Sequence, residues 1–153
     1  MPRFVIVVLL AIPLGFARAQ TTAHSLPNEI DDVRWNVSST VFGDFACRGK
    51  QDMALFGESK KSGFVVMVQL ARKGVKPKYL FFAARGRDPK GLRLTVESLD
   101  FSEDVEFKQD ISATAPGLQP SKSCKGLALG DDETDANHIY WNRKEKVFQS
   151  WSL

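Results

Sequence analysis

Glu58-Ser59-Lys60-Lys61-Ser62-Gly63-Phe64-Val65-Val66-Met67-Val68-Gln69-Leu70 is the stretch that decides the fold class. A polar turn closed by glycine leads into a run that is apolar at odd and even positions alike. A run this short and rich in β-branched residues reads as a central strand covered on both faces. Its neighbours extend the reading. Asp52 to Phe56 is a second short apolar run upstream, and Tyr79 to Ala84 follows the loop marked by Pro77. After a turn at residues 85–91, Leu92, Leu94 and Val96 alternate with Arg93, Thr95 and Glu97, the pattern of a half-exposed strand. Asp100 to Lys122 is polar and aperiodic, a long excursion before the short strand Leu127 to Leu129.

The chain closes on a hairpin, Asn137 to Trp141 and Val147 to Trp151, with Asn142 to Lys146 as its turn. A five-residue turn sets Trp141 opposite Val147 and Tyr140 opposite Phe148. It places Ile139 with Trp141 on one face and His138 with Tyr140 on the other. Near the other end, Ser25 and Pro27 look like a helix start, and Leu26, Ile30, Val33 and Val37 follow at helical spacing. One amphipathic helix is therefore expected, ending before Thr40. The expected fold is mainly β within the α+β class. Six to seven antiparallel strands form a curved sheet or a sandwich, with one N-terminal helix. The crossover helices of a parallel βαβ sheet are missing.

With 153 residues, 43% hydrophobic and 25% charged, the chain suits one globular domain and not a disordered one. Residues 1–19 read as a secretory signal: Arg3, an apolar stretch from Phe4 to Phe16, then Ala17-Arg18-Ala19 as the cleavage site. Residues 20–153 are then a single secreted β-rich domain, released to the periplasm or the outside with no membrane anchor. Of the 21 Lys and Arg, Arg3 and Arg18 leave with the leader, so 19 bases meet 18 acids. That near balance argues against a nucleic-acid partner, which needs a basic stripe. Cys47 and Cys124 are the only cysteines. In an oxidising compartment they are expected to pair, closing a long loop worth roughly 4–5 kcal/mol by chain entropy.

Phe42-Gly43-Asp44-Phe45-Ala46-Cys47-Arg48-Gly49-Lys50-Gln51-Asp52-Met53-Ala54-Leu55 resembles the loop of FG-GAP and VCBS repeats. In that family the loop cradles calcium with oxygens at alternating positions. Asp44, Gly49 and Asp52 match the first, sixth and ninth positions, but Ala46 and Arg48 stand where the third and fifth ligands belong. A loop that has lost two donors and gained a cation is a poor match for calcium's six to eight oxygens. Two readings follow: Arg48 replaces the ion between Asp44 and Asp52, or it is solvated on the loop. The stretch from Ser123 to Asn142 is also similar to small secreted bacterial proteins of no assigned activity.

Asp131, Asp132, Glu133 and Asp135 crowd one turn with calcium-like alternation, but Ala136 and Asn142 occupy the glycine and glutamate positions of such a loop. No metal or other cofactor is expected. With His24 and His138 as the only histidines, His-Glu-x-x-His zinc binding is excluded, and no phosphate loop or nucleophile elbow occurs. His138, Tyr140 and Phe148 are the candidate platform for a sugar ring or a protein, with core packing as the alternative reading. The sequence thus points to a non-catalytic envelope or secreted domain that binds a macromolecule, protein or glycan. An inhibitor of a cell-wall hydrolase is the alternative, and a carboxylate-dependent glycoside hydrolase a more distant one.

Overall fold

The computed structural model describes residue 30 and residues 32–83, 90–101, 115–131 and 135–152. Among the described residues nine strands form two antiparallel sheets. The first contains β1 (Val33–Trp35), β2 (Val41–Gly43), β3 (Asp52–Ser59), β4 (Gly63–Gln69) and β5 (Lys78–Phe82). Its order is β1-β3-β4-β5, with β2 also paired to β3. The second runs β6 (Arg93–Leu99), β7 (Ser121–Gly130), β8 (Asn137–Asn142) and β9 (Val147–Trp151) in sequence order. The mainly β, antiparallel expectation holds.

The two sheets face each other across one core. Ala54, Phe56, Phe64, Val66, Val68 and Phe82 from the first meet Leu94, Leu127, Leu129 and Ile139 from the second, with Phe45 and Leu92 at the margins. Of the two layered arrangements the sequence allowed, this is the sandwich. β4 is buried on both faces, as its unbroken apolar run requires: Val65 and Met67 are as inaccessible as Val66 and Val68. A smaller cluster of Ala115, Tyr140 and Trp151, with Phe101 and Leu118 against it, covers part of the second sheet's outer face.

The expected N-terminal helix is corrected where the chain is described. Its first turns, like the signal sequence, lie outside the described residues. Val33–Trp35 is not helical but pairs with Gly57–Ser59 as an edge strand, and Val37–Ser39 is a single 3-10 turn. The helical spacing of Val33 and Val37 was misleading because Val33 and Trp35 also alternate, and β3 offers an open edge to that pattern. Gly57 makes the pairing fit: a Cβ there would lie 2.6 Å from Val33 Cγ1 and 2.9 Å from Trp35 Cε3.

The C-terminal hairpin is shifted by one residue from the expected register. Asn142 pairs with Val147, Trp141 with Phe148 and Tyr140 with Gln149, leaving a four-residue turn. Asn142 imposes this. Its Oδ1 accepts the N–H groups of Lys144 and Glu145 at 3.0 and 3.1 Å, and its carbonyl accepts from Lys146 N at 2.9 Å. Such a closed turn keeps Asn142 inside the strand, and the left-handed φ of +59° at Lys146 returns the chain.

Candidate functional site

The loop between β2 and β3 is held by its own acids. Asp44 accepts the backbone N–H groups of Arg48 and Gly49, both at 2.7 Å. The turn itself is made by Cys47 and Gly49 with φ of +56° and +68°. Asp52 is fully buried and accepts from Ala46 N at 3.1 Å, Ala71 N at 2.8 Å and Arg48 Nη2 at 2.7 Å. Arg48 thus serves both carboxylates, Asp44 through its main chain and Asp52 through its guanidinium. It is partly exposed, and its guanidinium pairs with Asp52 alone of the two carboxylates. The oxygens that would face an ion are already occupied by N–H groups.

The Cys47–Cys124 disulfide, with Cα atoms 4.8 Å apart, ties this loop to β7 in the opposite sheet. A backbone hydrogen bond from Lys125 N to Asp44 O reinforces the same junction at 3.1 Å.

Asp131 and Asp135, the described acids of the 131–135 turn, do not join this loop. Cys124 and Gly130 stand near opposite ends of β7, six residues or about 20 Å apart at the usual strand rise. Asp131 is half-buried and Asp135 exposed beyond the far end of that strand, while Asp132 and Glu133 lie outside the described residues.

The aromatic platform is also dismantled by the register. Phe148 shares Trp141's face, 4.8 Å away edge-on, and packs against the core. Tyr140 is buried on the other face, donating to Pro116 O at 3.0 Å or Gln149 Oε1 at 2.9 Å. Burial pushes the Tyr140 phenol above its ordinary pKa, and the Glu145 carboxylate adds to the effect. Neither ring offers a face to a ligand.

His138 does remain at the surface, and the structure gives it partners that sequence reasoning missed. Its Nδ1 lies 2.7 Å from Glu97 Oε2, and its ring stacks on Trp151 at 4.2 Å and 14°. Glu97 comes from β6 and His138 from β8, with β7 between them. They meet because β7 presents only Gly126 and Ala128 on that face, opposite Glu97 and His138 respectively. The approach is close enough that a Cβ on Gly126 would sit 2.7 Å from Glu97 Oε1. With the carboxylate as acceptor, Nδ1 carries the proton, and a neutral ring then presents Nε2 as an acceptor. Among the described residues Nε2 has no hydrogen-bond partner, and the side chains of His138 and Glu97 are 22% and 24% exposed.

No protein-family model, curated protein or solved structure matches this chain. Among the described residues no group of three or more His, Cys, Asp or Glu side chains is placed to hold a metal ion. The disulfide is consistent with an oxidising compartment such as the periplasm or the extracellular space. No described helix is long and apolar enough to cross a membrane.

Proposed function

We propose that this chain is an exported, non-catalytic binding domain that meets a basic protein on the outer face of its second sheet. The observation that carries the reading is His138, fixed by Glu97 on one side and by Trp151 on its face, with Nε2 open to a donor. A side chain held in one orientation loses little entropy on binding, and Nε2 accepts best from a cationic N–H.

Lysozyme, a small basic protein that acts on cell walls, is a suitable probe. Binding to immobilised lysozyme is expected to weaken about tenfold in His138→Ala and in Glu97→Ala. Equal binding by all variants would sink the proposed face. Loss of lysozyme activity on binding would specify an inhibitor. Release of reducing ends from peptidoglycan by the protein alone would instead favour a hydrolase.

A further inference from the structure

A second feature, on the first sheet, lies away from His138. β1 pairs with the last residues of β3 and β2 with its first, and between them the edge steps outward through the 3-10 turn at Val37–Ser39. The step leaves no open backbone. Phe56 N donates to Ser39 Oγ at 3.1 Å, and Phe56 O accepts from Asn36 N at 2.9 Å. What remains is a cleft of about 250 Å³ lined by Arg34, Trp35, Asn36, Phe56 and Glu58.

We propose that this cleft binds one neutral sugar unit. Size is the first argument, since the cleft is smaller than the roughly 300–1,000 Å³ typical of drug-sized ligand sites. Charge is the second. Arg34 Nη2 and Glu58 Oε2 pair at 2.7 Å and cancel each other, so neither an anion nor a cation gains from entering. The remaining polar valences are the third. Glu58 keeps Oε1 as an acceptor, Arg34 keeps its other N–H donors, and Asn36 uses Oδ1 for Ser38 Oγ while its Nδ2 has no partner among the described residues. Donors and acceptors grouped around one small cleft match a ring whose hydroxyls both give and receive hydrogen bonds.

The test is an NMR titration of the ¹⁵N-labelled protein with N-acetylglucosamine and with glucose, using acetate and inorganic phosphate as charged comparators. Saturable shifts are expected at residues 34–36 and 56–58, with a dissociation constant on the order of millimolar. Arg34 is 82% exposed and Glu58 30%, so Arg34→Ala should leave the melting temperature near wild type and Glu58→Ala should lower it only slightly. Both should weaken binding by about fivefold or more, while Glu97→Ala should leave it unchanged. Absence of saturable shifts with both sugars would overturn the proposal. So would binding that both cleft variants retain, or tighter binding of acetate or phosphate than of either sugar.

Discussion

Removing the Arg48 guanidinium tests how the loop between β2 and β3 holds together. Asp52 is wholly buried and has three donors: two backbone N–H groups and Arg48 Nη2 at 2.7 Å. Arg48→Ala leaves the two backbone donors and takes away the charge. Breaking a fully buried pair costs about 3–5 kcal/mol, and an exposed pair contributes about 0.2–1 kcal/mol. The Arg48 side chain is 29% exposed, so water reaches one partner and the expected cost lies between, about 1–2 kcal/mol. Asp52→Ala is more damaging, because the N–H of buried Ala46 loses its acceptor along with the other two contacts. About 3–4 kcal/mol is expected. The double variant should then be less unstable than the sum by about 1–2 kcal/mol, the coupling between the two side chains. Urea unfolding with the disulfide intact, followed by tryptophan fluorescence, gives all four corners of the cycle from the midpoints at constant slope. Calcium should not raise the wild-type midpoint. An Arg48→Ala midpoint within about 0.3 kcal/mol of wild type, or strict additivity in the cycle, would show that the guanidinium does not support Asp52.

Two further outcomes follow from the stapled and buried groups. The Cys47–Cys124 bridge joins residues 77 apart, and Cys47→Ser with Cys124→Ser should lower stability by about 2–5 kcal/mol; alkylation of the unfolded wild type without reductant should find no free thiol, and two would disprove the bridge. Tyr140 titrates higher when folded than its ordinary value of 10.0, so its contribution is complete below that pH and is lost as pH rises through the folded value. The melting temperature should fall above about pH 10, and Tyr140→Phe, although less stable at neutral pH, should lack that share of the decline.

The strands that were legible are those whose burial is set by their own pattern. β4 is apolar from Phe64 to Val68 and is covered on both faces, while the alternation of β6 holds at Leu94 and fails at Val96, which is exposed. What failed depended on a partner. Over so short a segment Val33, Trp35 and Val37 satisfy both the helical and the strand period, and only the edge of β3 decides between them. β2 was seen only as part of the calcium-like loop. The last hairpin was placed correctly, yet a one-residue difference in turn length moved Phe148 to the core face and removed the expected platform. The register turned on Asn142, whose capping of two N–H groups is not distinguishable in sequence from an ordinary turn asparagine. The cysteine pairing followed from counting. Its further consequence, that Asp131 lies beyond Gly130, the last residue of β7 and six residues past Cys124, required the strand to be ten residues long where three were expected. Glu97 was missed because its partner sits two strands away, where no local spacing points.

The division of the chain between the sheets has a practical meaning. Every strand of the first sheet precedes residue 83, and every strand of the second follows residue 92. Neither sheet borrows a strand from the other's half, and the bridge is a covalent link between them besides the backbone connection itself. A protease that cuts once between Phe82 and Arg93 would therefore split the polypeptide without releasing either piece. The nicked molecule would run as one band on a non-reducing gel and as two after reduction. The halves are natural fragments for complementation, each a self-paired sheet whose apolar face is finished only by the other.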